Sequence, residues 1–65
     1  MSKYEELIQF VQNLEPDFQK FYDRGQNAAG TRVRKGLSEL RKLAQEIRND
    51  VQKVKEERKA AKKNQ

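Results

Sequence analysis

Apolar residues recur at Tyr4, Leu7, Val11, Leu14, Phe18 and Phe21, in alternating steps of three and four. That is the a/d seam of a helix packed along another helix. Ile8, Phe10 and Tyr22 lie beside the seam and widen it, which suits a bundle better than a two-stranded coil. Ser2 and Glu5 have capping-box spacing and start this first helix near residue 3. Pro16 interrupts the stretch, but the step from Leu14 to Phe18 keeps its phase. The pattern therefore predicts one helix over about 3–23 that runs through with a kink at Pro16.

Residues 24–27 read as a turn: Gly25 can take the left-handed conformation that closes a helix, and Asn27 is a good N-cap. A second seam follows at Val33, Leu37, Leu40, Ala44, Ile47, Val51 and Val54. It predicts a helix over about 28–57. So short a connection folds the helices antiparallel. Phe21 then meets Gly30, Phe18 meets Val33 and Leu14 meets Leu37, and Glu15 comes within reach of Arg34. Close packing under Phe21 accounts for a glycine at 30, whereas Gly36 suggests a dimer contact or the approach of a ligand. The expected fold is all-α: a two-helix antiparallel coiled-coil hairpin over 1–58 that dimerises into a four-helix bundle, with 59–65 a frayed basic tail.

Size supports the dimer. A chain of 65 residues buries little apolar surface by itself. There is no cysteine and no histidine, so neither a disulfide nor the usual nitrogen and sulfur zinc ligands are present, and catalysis by either side chain is excluded. No glycine-rich phosphate loop or paired-carboxylate arrangement stands out, and we expect no enzyme activity, cofactor or small-molecule substrate. The sequence holds no run long and apolar enough to span a bilayer and no visible leader, so a cytoplasmic protein without membrane contact is expected.

Charge adds a partner. The formal charge is +5, made of −2 over residues 1–27 and +7 over residues 28–65. With Leu37 at position a, Arg34, Arg41, Arg48 and Lys55 all fall at e, and Lys35 and Lys42 fall next to them at f. A row of cations thus runs for roughly 30 Å along the second helix. The start of that helix adds unpaired backbone N–H groups near Arg32, Arg34 and Lys35, which suits phosphate. A polyanion fits this stripe, with Arg32, Arg34, Lys35, Arg41, Lys42, Arg48 and Lys55 as the DNA-contacting candidates. Pairing within the hairpin or the dimer is the structural alternative for the e-position arginines.

The run DFQKFYDRGQNAAGTRVRKGLSELRKLAQEIRNDVQ, and within it GQNAAGTRVRK followed by LAQEIR, resembles the small bacterial linker-histone-like nucleoid proteins of chlamydiae and Bacteroidetes. The resemblance covers Asp17 to Gln52. It implies a nucleoid protein that binds double-stranded DNA and compacts the chromosome, and it falls most directly on Arg32, Arg34 and Lys35. The chlamydial members continue into a long tail rich in lysine, alanine and proline; here KEERKAAKKNQ follows, which moves the burden to the hairpin. The lead expectation is a homodimeric, sequence-neutral architectural DNA binder. A coiled-coil adaptor for an acidic protein, or RNA binding through the same stripe, are the alternatives.

Overall fold

The computed structural model describes residues 2–63. They form two helices and, among the described residues, no strand: α1 at Lys3–Tyr22 and α2 at Asn27–Lys63. Ser2 caps α1. Its Oγ accepts the Glu5 backbone N–H at 3.0 Å and lies 3.2 Å from the Glu5 carboxylate. Pro16 sits inside α1, which continues through it.

At the other end, Gly25 takes φ 67°, and the Gln26 N–H donates back to the Lys20 carbonyl at 3.0 Å. A left-handed glycine costs no Cβ clash, and the returning bond satisfies a helix-end carbonyl. The chain reverses there, and α2 runs back along α1. The 37 residues of α2 outlast the 20 of α1. Helix α2 extends to Lys63, past the end near 57 that the apolar spacing marks, and residues 64 and 65 of the expected tail lie outside the described residues; from about Arg48 onward it is a free arm with no α1 beside it. The molecule is a rod of 60 × 18 × 13 Å.

The seam differs from the one the apolar spacing predicts, and glycine is the reason. Phe21 lies on Gly30 as expected, but Leu14 lies on Gly36, not on Leu37. A Cβ at Gly30 would come within 2.6 Å of the Phe21 ring, and one at Gly36 closer still to a Leu14 methyl. Bare backbone at these two positions lets the helices approach. Settling into the notches rotates both helices about their axes. The buried residues of α2 are accordingly Ala29, Val33 and Gly36, followed by half-buried Leu40, Leu43, Ile47, Asp50 and Val54. On α1 the inward set is Leu7, Phe10, Leu14, Phe18 and Phe21.

The rotation leaves large apolar side chains outside. Tyr4 and Tyr22 are each 71% exposed and Val51 53%, and Ile8, Val11 and Leu37 are exposed as well. Tyr4, Val11, Leu37, Ala44 and Val51 therefore belong to no internal seam, contrary to the a/d expectation. They follow the seam by the same angular offset on both helices at 100° per residue. On antiparallel helices that offset puts them on one face of the hairpin. The open cleft lined by Phe21 and Tyr22 of α1 and by Gly30, Arg34 and Leu37 of α2 lies on this face. Here Tyr22 meets Phe21 edge-on at 4.9 Å and stacks near Phe18 at 6.2 Å.

Candidate nucleic-acid interface

Arg34, Arg41, Arg48 and Lys55 are all exposed on α2. Each is seven residues from the next, so the row advances about 10 Å per cation along a straight scaffold. None of the four takes part in an ion pair among the described residues, where the pairs are Lys3 with Glu6 at 4.0 Å and Arg32 with Asp17 at 2.9 Å. The pairing expected between Glu15 and Arg34 is absent; Glu15 instead accepts from Gln19 Nε2 at 3.1 Å. The rotated seam explains this. It carries the e positions of both helices away from the contact, to the two outer edges of the hairpin.

The same rotation brings Arg32 inward. Its Nε donates to Asp17 Oδ1, and half of the side chain stays exposed. Arg32 thus straps the two helices together near the turn, on the side of the hairpin away from the apolar face. Spacing alone grouped it with the free cations. Lys35 and Lys42 are exposed and unpaired and sit one row further round α2 than Arg34 and Arg41.

Between the two cationic rows runs a stripe of uncharged hydrogen-bonding side chains, Thr31, Ser38, Gln45 and Gln52, again seven apart. Ser38, Arg41, Lys42 and Gln45 line one shallow polar depression. The carboxylates Glu39, Glu46, Asp50 and Glu57 occupy the other edge of α2, with Arg32. From Arg34 to Arg48 cations and carboxylates are therefore sorted around the helix, and the surface facing away from α1 is positive there; further along, Glu56 accepts from Gln52 Nε2 at 3.3 Å within the stripe between the cationic rows. On the apolar side, the arginine row borders the exposed face directly: Arg34 and Arg41 rim a groove floored by Leu37, Leu40 and Ala44.

Among the described residues no group of His, Cys, Asp or Glu is arranged to hold a metal ion, and no helix is long and apolar enough to cross a membrane. What the arrangement offers is a rigid, regularly spaced set of cations with polar donors between them. Comparison with known families bears on its meaning. The family model described as Histone H1-like protein Hc1 matches residues 1–57.

The chain belongs to the histone H1-like Hc1 family.

The Hc1 match takes in α1, the turn, both glycine notches and every candidate cation from Arg32 to Lys55. The resemblance seen over Asp17 to Gln52 is thus part of a match that also covers α1. Arg58 and the basic residues after it lie outside the Hc1 match. No curated protein and no solved structure matches the chain.

Proposed function

We propose that this chain is a nucleoid DNA-binding protein of the bacterial cytoplasm that grips duplex DNA by its phosphates, without reading sequence. The observation that carries this reading is the exposed, unpaired row Arg34, Arg41, Arg48 and Lys55, in a chain of the histone H1-like family. From Arg34 to Lys55 the row covers roughly 30 Å, close to one turn of duplex. A straight helix laid along that length meets backbone from both strands. Lys35 and Lys42 add contacts on the far side of the Thr31–Ser38–Gln45 stripe, whose short polar groups hydrogen-bond phosphate oxygens readily. Arg32 serves mainly to hold the hairpin tip, with its exposed half available to DNA. Neutralising phosphates releases counterions, which supplies the affinity and makes it independent of sequence.

The same reading includes a homodimer that closes into a four-helix bundle. Among the described residues, Ala29 and Val33 are the buried hydrophobic side chains, too small a core for an isolated hairpin of this size. The uncovered face of Tyr4, Ile8, Val11, Tyr22, Leu37 and Val51 offers the missing burial to a second copy. A dimer carries two cation rows and can compact DNA by joining duplexes.

A rival reading takes support from the groove where Arg34 and Arg41 rim Leu37, Leu40 and Ala44, because an acidic amphipathic helix of another protein would fit such a groove. Fluorescence anisotropy separates the two. The chain is titrated into labelled DNA duplexes of unrelated sequence, alongside the Arg34→Ala/Arg41→Ala/Arg48→Ala variant. Similar affinity for all duplexes, reduced alike for all of them by the triple change, supports the phosphate grip. Equal affinity of the variant and the unmodified chain would remove the row from the interface. Preferential displacement by duplex RNA would transfer the same surface to RNA.

A further inference from the structure

We infer that two copies pair through the apolar face about a two-fold axis running along the helices, so that α1 of each lies against α2 of the other. The inference rests on the dimer reading above and adds its orientation, which decides how many duplexes one dimer can hold. A flat face meets its own copy by a two-fold in two ways. With the axis along the helices, α1 packs on the partner's α2 and the heights of residues are kept. With the axis across them, α1 packs on the partner's α1 and α2 on the partner's α2, each pair antiparallel.

Charge separates the two. The outer edge of α2 on this face is the row Arg34, Arg41, Arg48 and Lys55, and the outer edge of α1 carries one carboxylate, Glu15, bonded to Gln19. The axis across the helices would bring the two arginine rows edge to edge, Arg34 against the partner's Arg41, with no carboxylate between them. The axis along the helices sets each row against an α1 edge free of cations. Leu14 on Gly36 and Phe21 on Gly30 fix residue 15 level with residues 34–36, so Glu15 falls beside the partner's Arg34. Burial between like charges is costly, whereas opposite charges at a rim fix register.

Size points the same way. The α2 half of the face offers Gly30, Leu37, Ala44 and Val51, and the α1 half offers Tyr4, Ile8, Val11 and Tyr22. With heights kept, Tyr22 comes over the partner's Gly30 and Ile8 over the partner's Ala44, bulk onto small. With heights reversed, Tyr4 meets the partner's Tyr22, and Glu15 is pressed onto the partner's Val11.

Two consequences follow for the whole assembly. Both α2 arms leave the bundle at the same end. The two cation rows end on opposite sides, so one dimer presents two separate duplex-binding edges and joins two DNA segments. The crossed arrangement would merge both rows on one side and hold a single duplex.

The chain has no cysteine, so one introduced thiol gives one label per copy. Glu56 is exposed on the arm, off the apolar face and outside the arginine row. The experiment is pulsed dipolar EPR on spin-labelled Glu56→Cys in the full chain, with Gln52→Cys as a second site. Sedimentation equilibrium is run at the same concentration. Arms on the same end put the labels about 20–25 Å apart, from the spacing of neighbouring helices plus linker length. Arms on opposite ends put them about 50 Å apart, from the rise per residue. The short distance at both sites with a dimeric mass is the expected result. The long distance with a dimeric mass overturns the orientation and leaves the dimer standing. A monomeric mass with no dipolar coupling overturns both.

Discussion

Replacing Gly30 with alanine tests whether glycine notches set the packing of this hairpin. In an open helix the change stabilises, by up to about 1 kcal/mol. Here the new methyl would sit 2.6 and 2.7 Å from two carbons of the Phe21 ring. Carbon contacts are comfortable at about 3.5–4.0 Å, so the ring has to move by roughly 1 Å. Tyr22 stands against the ring edge-on at 4.9 Å, so a move on that side displaces Tyr22 as well. Overpacking of this kind costs about 1–3 kcal/mol. The net expectation is a loss of about 1–2 kcal/mol, which lowers Tm by on the order of 5–15 °C in a domain of this size. The assay is thermal unfolding followed by circular dichroism at one fixed protein concentration, because self-association would shift Tm by mass action. The sign then reverses in a Phe21→Ala background. With the ring gone, Gly30→Ala gains its helix propensity and raises Tm. A stabilising Gly30→Ala in both backgrounds would show that the helices do not meet at this notch.

Other outcomes are expected from the same geometry. Asp17→Asn removes a half-exposed pair with Arg32 and lowers stability by no more than about 1 kcal/mol at low salt, an effect that chemical denaturation should find smaller as salt rises. A loss of several kcal/mol there would mean that the strap does far more than its exposure allows. Pro16→Ala restores a backbone donor inside a continuous α1 and raises Tm, by an amount within the ~3 kcal/mol that proline costs in a helix interior; no gain would mean that α1 is two helices in solution. Leu37→Asp places a carboxylate on the uncovered face without touching the notches. If the proposed dimer forms through this face, sedimentation equilibrium should show association weakened by the change while helicity persists, and unchanged association would move the interface elsewhere.

The elements themselves were written plainly in the chain. Ser2 with Glu5, Gly25 in the turn and two apolar seams at helical spacing mark where α1 and α2 begin and where the chain reverses. The rotation of the seam was not legible in the same way. Both helices carry an apolar face wider than one contact, so spacing offers two ways to pack them, with Leu37 and Val11 inside or Gly36 and Phe10 inside. Leucine and valine at a and d look like the better core. The choice falls to Gly36 because a closer helix approach needs backbone without a side chain, and apolar periodicity gives glycine no weight. The candidate cations depend on that rotation. The row from Arg34 to Lys55 reads correctly as an exposed stripe, since its period is that of the helix whichever way the seam turns. Arg32 reads as free and Glu15 as the partner of Arg34 only while the seam is placed at a and d. Once the helices turn, Arg32 reaches Asp17, and Glu15 moves to an outer edge. The sorting of Glu39, Glu46, Asp50 and Glu57 to the edge opposite the arginines was available from the heptad and adds an electrical polarity to the hairpin.

The sequence-neutral grip on DNA phosphates proposed for helix α2 is read out by the salt dependence of binding. The log of the affinity for a short duplex of random sequence is followed against the log of salt concentration. With Arg34, Arg41, Arg48 and Lys55 on the backbone, and Lys35 and Lys42 beside them, about four to six phosphates are neutralised. A straight line of slope about −3.5 to −5.5, the same for unrelated sequences, is expected. A flat line, or no binding at low salt, would contradict it.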